Sequence, residues 1–186
     1  MTSSPFSSPP GYLEVTIMYL EMWSRPDLAV PRAPRPEVMV LRAQRPPLSF
    51  YRYLYEHVGG PWLWYERRQM SDERLAAIVH DPAVELDVLY VGGVPAGYAE
   101  LDCRTSGEIE LAYFGLIEEF IGRGLGAYFL AWTVNRAWQR DPRRLWVHTC
   151  TLDHPRALDT YLAAGFAEYA RESVRIADPR PIRERV

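Results

Sequence analysis

Three glycines at two-residue spacing stand between a strand-like segment and a helix-like one. Gly122, Gly124 and Gly126 follow the alternating apolar residues of 108–117 and precede an apolar stripe of helical period that runs to about Arg140. Glycines permit φ angles that side chains disfavour and let a ligand approach the backbone closely. Because a helix start carries unpaired N–H groups and the positive end of the helix dipole, the run predicts an anion site, with a pyrophosphate as the candidate ligand.

The segments around this run predict one α/β domain of the α+β type, since 186 residues suffice for a single buried core. Period-two alternation predicts strands at 12–22, 37–43, 85–91, 94–102, 108–117, 144–151 and 166–176. Helical spacing predicts helices at 47–58, 71–81, from the glycine run to about 140, and 155–164. We therefore expect a mixed, mostly antiparallel sheet of about six to seven strands flanked by about four helices, with an extra strand at the N-terminal end.

Turn chemistry and composition complete the predicted organisation. Gly92 and Gly93 predict a two-residue hairpin turn, and hence an antiparallel strand pair. Residues 1–11 are expected to be a flexible N-terminus, 12–178 a single domain and 179–186 a C-terminal tail. If the extra N-terminal strand left a free edge, a second copy of the chain would be able to pair with it and form a homodimer.

Charge and cysteine content exclude several classes of function. A net charge of -3 and a pI of about 5.8 provide no basic surface for a phosphate backbone, so we expect no nucleic-acid partner. Cys103 and Cys150 are too few for a secreted disulfide framework and no secretory leader is evident, which predicts a cytoplasmic protein. No apolar run approaches the roughly 20 residues of a membrane helix.

The glycine run also admits two other interpretations. Gly122, Gly124 and Ala127 occupy the positions of a G-x-G-x-x-A dinucleotide fingerprint, which would indicate an NAD-type enzyme. That fingerprint belongs after a first strand and among parallel βαβ units, whereas an antiparallel meander precedes the run here. The glycines would alternatively serve only tight packing of a strand against a helix.

Two motifs resemble the GNAT acetyltransferase superfamily. The run Glu110–Leu130, ELAYFGLIEEFIGRGLGAYFL, resembles its acyl-CoA-binding motif, and the spacing from His154 through Tyr161 to Gly165 resembles its closing motif. The resemblance extends over most of 85–169. It implies a GNAT-like fold and an enzyme that transfers an acetyl group from acetyl-CoA to a primary amine of a small molecule, by direct attack on the thioester and without a metal.

The resemblance also implies which residues hold the coenzyme. Carried over by position, they are Leu116, Ile117, Gly122, Arg123, Gly124, Gly126, Ala127 and His154. Two positions depart from the family pattern, because Ile121 stands where Gln or Arg is usual and His154 where Asn is common. These departures leave open a second function, that of a non-catalytic acyl-CoA sensor or interaction module.

Acyl transfer to an amine needs a group that offsets the amine's protonation. An ordinary alkyl amine is only about 1 in 10³ neutral at pH 7, a handicap of about 4 kcal/mol. Glu110 matches the position of a general base in the family, and strand alternation places it on the same face as Ala112 and Phe114. Glu108 and Glu100 are alternative bases, and all three would otherwise be solvated strand carboxylates.

Tyr161 matches the tyrosine that faces the sulfur of coenzyme A in the family. A phenol is less acidic than a thiol by about 1.5 pKa units, so a hydrogen bond to the leaving thiolate is a better description than full proton transfer. The alternative is a core tyrosine on an amphipathic helix. A strand amide would meet the oxyanion.

The acceptor pocket is expected beside the helix pair that follows the second strand. Trp62, Trp64 and Tyr65 predict an aromatic wall there, with Glu100 as a further substrate-binding residue, although core packing explains the aromatic residues nearly as well. Tyr113 is expected to pack on the sheet face opposite to Glu110.

Four residues near the end of the sixth predicted strand have side chains that can bind a metal: His148, Cys150, Asp153 and His154. No second ligand pair at zinc spacing accompanies them, so no metal site is predicted. Cys150 on an apolar strand is better explained as a small hydrophobic residue than as a nucleophile.

Overall fold

The computed structural model describes residues 11–27 and 32–180. Its strands are Tyr12–Met22 (β1), Val38–Arg42 (β2), Val84–Val91 (β3), Val94–Asp102 (β4), Glu108–Leu116 (β5), Arg144–Cys150 (β6) and Ala167–Ala177 (β7). Its α-helices are Leu48–Gly59 (α1), Asp72–Val79 (α2), Leu125–Trp138 (α3) and Ala157–Ala163 (α4). The predicted mixed fold is confirmed. The expectations for the flexible N-terminus and the tail fall mainly on residues 1–10 and 181–186, which lie outside the described ranges.

All strands join one sheet in the order β2-β3-β4-β5-β6-β1-β7. Neighbours are antiparallel except β5 and β6, which run parallel. Gly92 and Gly93 adopt φ angles of 59° and 82° in the turn between β3 and β4, as a two-residue hairpin with positive φ requires. The predicted antiparallel meander of β3, β4 and β5 is confirmed.

The N-terminal strand is not an edge. β1 pairs with β6 on one side and with β7 on the other, so its backbone hydrogen-bonding groups are used within the chain. The expectation that this strand would offer a free edge to a second copy was therefore wrong. The edges of the sheet are β2 and β7.

Each face of the sheet has its own apolar core. On one face the sheet packs against α3 and α4, whose buried apolar residues are Leu125, Phe129, Leu130, Val134, Ala137 and Tyr161. On the other it packs against α1 and α2 through Tyr51, Leu54, Tyr55, Val58, Leu75 and Val79. We call these the α3 face and the α1 face. No helix within the described ranges has both the length and the apolar character to cross a membrane.

A β-bulge interrupts the pairing of β4 with β5. Leu101 lies opposite Leu111, but the preceding residue of β4, Glu100, lies opposite Tyr113, so Ala112 is an extra residue in β5. An extra residue reverses the alternation of side chains beyond it.

Because of the bulge, two side chains of β5 lie on faces of the sheet other than simple alternation predicts, relative to each other. Leu111 and Phe114 both belong to the core of the α3 face, whereas Tyr113 packs with the core of the α1 face. Glu110, which precedes Leu111, therefore shares the α1 face with Tyr113 and not with Phe114. The expectations that Glu110 shares a face with Phe114, and that Tyr113 opposes it, were wrong because simple alternation assumes an unbroken ladder.

Candidate active site

The sheet opens between its two parallel strands. β5 and β6 pair only from Glu108 opposite Arg144 to Glu110 opposite Trp146, and both strands then continue without pairing to each other. A cleft of about 810 Å³ lies at this divergence and is lined from both sides. Because the opening passes between two strands, it connects the α3 face with the α1 face. The vertex of the opening is the pair Glu110–Trp146.

The predicted glycine turn lies at the edge of this cleft. Gly122 and Gly124 adopt left-handed φ angles of 79° and 76°, and a Cβ atom on either would meet no atom within 4 Å. Gly124 is the N-cap of α3 and provides no side-chain hydrogen bond to the helix start. The first N–H groups of α3 thus have no intrahelical partner and open space in front of them, a cradle that fits a diphosphate.

One arginine lies within the glycine turn and another lines the cleft. Arg123 lies within the turn, with its guanidinium 5.3 Å from the ring centroid of Phe120. Arg156 lines the cleft just before α4 and was missed by the sequence analysis, although its place next to the motif residue His154 was a usable signal. Arg123, predicted to hold the coenzyme, does not line the cleft, so of these two arginines Arg156 is the one that adds positive charge to its wall.

The structure brings most of the implied coenzyme residues together. Those that line the cleft are Leu116, Gly122, Gly124, Gly126, Ala127 and His154. Ile117 does not join them, because its N–H donates to Ala96 O at 2.9 Å, its C=O accepts from Phe120 N at 2.9 Å and its side chain is buried. The N–H of Ile117 is thus used within the chain, and the second lone pair of its C=O is the backbone group left for a pantetheine arm, so Ile117 stays a prediction that the cleft lining does not include.

His154 is oriented by its neighbours. Its Nδ1 accepts a hydrogen bond from the backbone N–H of Arg156 at 3.1 Å, and its ring lies edge-on to Trp62 with centroids 5.1 Å apart. A neutral imidazole that accepts at Nδ1 carries its proton on Nε2. His154 therefore has a donor available for a ligand, as the more usual Asn would.

Tyr161 lines the cleft from the α3 face. Its ring packs against Phe114 and Phe166, with centroids 6.2 and 5.9 Å away. Burial, reinforced by the charge of Asp153, raises the pKa of its phenol well above the ordinary value. Tyr161 thus remains a protonated donor at physiological pH.

Glu110 and His148 meet across the opening, on the α1 face. His148 follows Trp146 by two residues on β6 and so points to the same side of the sheet as Glu110. Its Nδ1 lies 3.6 Å from Glu110 Oε1, and both side chains line the cleft. The Glu110 carboxylate raises the pKa of His148 above its ordinary value, with smaller contributions from Asp153 and Glu66 and with burial opposing them.

The predicted aromatic wall is present in part. Trp62 and Trp64 line the cleft, but Tyr65 does not. Trp64 donates from Nε1 to Asp153 Oδ1 at 3.1 Å, which ties the segment after α1 to the loop after β6. The ring centroid of Tyr113 lies 5.1 Å from that of Trp64, so Tyr113, which follows the bulged residue, also contributes to this wall.

Glu100 does not reach the cleft. Its side chain is fully buried, and its two oxygens accept from Tyr51 Oη and from Arg67 Nη2, each at 2.6 Å. The prediction that Glu100 binds substrate or serves as a base was wrong, because the strand carries it beneath α1, where it neutralises a buried arginine.

A second cavity of about 330 Å³ adjoins the cleft at the vertex. It shares Asp102, Arg104 and Glu110 with the cleft and adds Glu108 and Trp146. Asp102 and Arg104 neutralise each other, with Arg104 Nε 2.9 Å from Asp102 Oδ1. The acceptor side of the opening thus has an excess of carboxylates. Within the described ranges, no group of three potential metal ligands lies close enough to hold an ion.

The site thus combines a mostly antiparallel sheet that opens between two strands with a glycine turn and an uncapped helix start. Residues 51–166 match the Acetyltransferase (GNAT) family. Because this match spans more than half of the chain, the protein belongs to the GNAT acetyltransferase family. No curated protein sequence matches the chain.

Solved structures share the fold at low sequence identity. A GCN5-related N-acetyltransferase from Kribbella flavida is 20% identical with a TM-score of 0.62, over 92% of this chain and 61% of that one. Spermidine N-acetyltransferase from Vibrio cholerae, in complex with CoA and spermine, is 16% identical with a TM-score of 0.60, over 77% of this chain and 97% of that one.

A protein of unknown function from Staphylococcus epidermidis is 18% identical with a TM-score of 0.63, over 90% of this chain and 63% of that one. The chain thus spans about three fifths of the length of the Kribbella and Staphylococcus proteins.

Proposed function

We propose that the protein transfers an acetyl group from acetyl-CoA to a primary amine of a small molecule. The observation that carries this proposal is the opening between β5 and β6, because it joins an uncapped helix start on one face to the Glu110–His148 pair on the other. A donor bound from the α3 face would present its thioester at the vertex, and an amine would approach it from the α1 face.

The donor would be held largely by backbone groups. The N–H groups at the start of α3 would bind the diphosphate, with Arg123 and Arg156 adding charge. The pantetheine arm would follow β5 near Leu116, and His154 Nε2 would donate to it. Ile121 lines the cleft where the family usually has a longer polar side chain, and the backbone cradle remains without it.

The amine would lose a proton to the carboxylate-bearing pair at the vertex. Its nitrogen forms a bond to the thioester carbon, the carbon–sulfur bond breaks, and the thiolate of coenzyme A leaves. Tyr161 would donate a hydrogen bond to that thiolate. Glu110 supplies a carboxylate that can take up the proton, directly or through the adjacent His148.

The acceptor side favours a cationic substrate. Glu66 and Glu110 line the cleft without an arginine partner among the residues that the structure describes. Arg67 and Arg104 of the lining are paired with Glu100 and Asp102, and Glu108 of the adjoining cavity is paired with Arg144. Arg156, just before α4, is the arginine of the lining that has no carboxylate partner within the described ranges. The Vibrio cholerae neighbour in complex with spermine supports an amine acceptor of this kind.

A panel assay tests the proposal. Acetyl-CoA is incubated with the protein and n-butylamine, 1,4-diaminobutane, glycinamide or an aminoglycoside, and release of free thiol is measured together with the mass of the product. We expect thiol release that depends on the amine and an amide product. If coenzyme A binds but none of these amines is acetylated, the result would instead support the non-catalytic sensor.

Substitution of Gly124 by Ala is expected to raise the Kd for coenzyme A about tenfold. The new Cβ would occupy the open space in front of the helix start and would strain a left-handed residue by about 1–2 kcal/mol. Titration calorimetry measures the Kd, and urea unfolding measures the stability.

Gly93→Ala is the matched control, because Gly93 has a similar φ of 82°, equally open surroundings and a position in the β3–β4 hairpin. Both variants should lose similar stability, but only Gly124→Ala should lose affinity. Equal Kd values for the two variants would show that the glycine turn is not part of the coenzyme site.

A further inference from the structure

We propose that His148 is the catalytic residue that accepts the amine's proton and that Glu110 is a positioning residue that acts through it. This inference rests on the proposed function and refines its proton transfer. The sequence drew attention to His148 only as a candidate metal ligand, whereas the fold pairs its Nδ1 with Glu110 Oε1 at 3.6 Å.

The position of the pair at the vertex makes this assignment specific. Glu110 is the last residue of β5 that still pairs with β6, opposite Trp146. His148 lies two residues further along β6, about 7 Å beyond the vertex at the rise of an extended strand. The ring therefore stands beside the opening, 43% exposed, where an amine approaching the thioester would pass.

Three neighbouring elements bring a carboxylate near His148. Glu110 on β5 is the carboxylate at ion-pair distance in the described residues, while Glu66 between α1 and α2 and Asp153 after β6 act from further away. Asp153 is also committed elsewhere, since it accepts from Trp64 Nε1 and from Thr149 Oγ1 at 2.7 Å.

The remaining surroundings of the ring are aromatic. Tyr19 on β1 and Trp146 on β6 lie with their ring centroids 6.1 and 6.2 Å from that of His148. Both rings lie near that of His148 without offering a charge. Glu110 is thus the group that can select the tautomer of His148.

The nearby carboxylate favours the tautomer of His148 that carries its proton on Nδ1. With Nδ1–H directed at Glu110 Oε1, the neutral ring presents Nε2 as an acceptor. An incoming ammonium has three protons on nitrogen. Nε2 takes one, the nitrogen forms its bond to the thioester carbon, and the carbon–sulfur bond breaks. Of the two remaining protons the amide keeps one and the thiolate receives the other through solvent, while His148 returns its own proton to solvent.

The pH dependence of kcat tests the assignment, with the most rapidly acetylated amine of the panel at saturating concentration. A base must be deprotonated, so kcat of the wild type should fall as the pH falls through the raised pKa of His148, above the ordinary value of about 6.5. We call this decrease the acidic limb of the pH profile. His148→Gln should lack this acidic limb. Its kcat at pH 8 should be lower by only about tenfold, because Glu110 can still accept a proton through water. Glu110→Gln should keep the limb but shift it to lower pH by about one unit.

NMR titration of the four histidines gives a readout independent of turnover. The resonance missing in His148→Gln identifies His148, and its pKa should fall in Glu110→Gln. His57→Gln is the control, because His57 lies on α1 with its Nδ1 2.8 Å from Tyr53 O and does not line the cleft. This variant should keep the wild-type limb.

Two results would overturn the assignment alone. One is a wild-type limb that persists in His148→Gln while Glu110→Gln abolishes turnover, since Glu110 would then be the base itself. The other is an unchanged pKa of His148 in Glu110→Gln. Absence of thiol release by the wild type with every amine would instead refute the proposed function, and the assignment with it.

Discussion

Replacement of Tyr161 by Phe is expected to lower kcat about 100-fold and to change the Kd for coenzyme A by no more than about twofold. A hydrogen bond to a charged partner stabilises by up to about 3 kcal/mol, and about 1.4 kcal/mol corresponds to a factor of ten in rate. The thiolate is charged only as it leaves, so the loss should appear in kcat and not in coenzyme binding. The ring contacts with Phe114 and Phe166 would remain.

Steady-state kinetics and titration calorimetry check this expectation. Tyr12→Phe is the control, since Tyr12 is 49% exposed at the start of β1, remote from the opening. An unchanged kcat in Tyr161→Phe would show that the hydroxyl has no catalytic role and that Tyr161 only packs on the α3 face. A parallel loss of coenzyme affinity would mean that the hydroxyl binds the donor in the ground state.

Replacement of Glu100 by Gln is expected to lower the free energy of unfolding by about 3 kcal/mol. The substitution keeps the shape of the side chain but leaves the Arg67 guanidinium buried without its countercharge, and breaking one side of a buried ion pair typically has this effect. Arg67 has little compensation nearby, because its Nε already has no hydrogen-bond partner among the described residues. Activity per folded molecule should change less than stability.

Urea unfolding measures the free energy of unfolding of Glu100→Gln, and Glu168→Gln is the control variant. Glu168 pairs with Arg171 at the surface, at 2.8 Å, and solvent screens such exposed pairs, so this control should lose little stability. The double variant Glu100→Leu, Arg67→Met should recover much of the stability, since it removes both charges. If Glu100→Gln were as stable as the wild type but had a raised KM for the amine, Glu100 would be a substrate-binding residue after all.

Local patterns in the sequence were sufficient to predict the elements and the glycine turn. The apolar stripe of α3 and the alternation along β1 report which side of each element is buried, and this depends only on residues near in sequence. Gly122 and Gly124 needed no tertiary information either, since the left-handed φ they adopt is a conformation that glycine tolerates best.

The arrangement of the catalytic groups required pairings between distant strands. Alternation along β5 put Glu110 and Tyr113 on opposite faces, because a bulge is visible only in the hydrogen bonds that β5 makes with β4. The contact of Glu110 with His148 arises because β6 lies beside β5 in parallel, and the burial of Glu100 because α1 covers β4. Periodicity tells which residues share a face of one element, whereas the register between elements decides which of them meet.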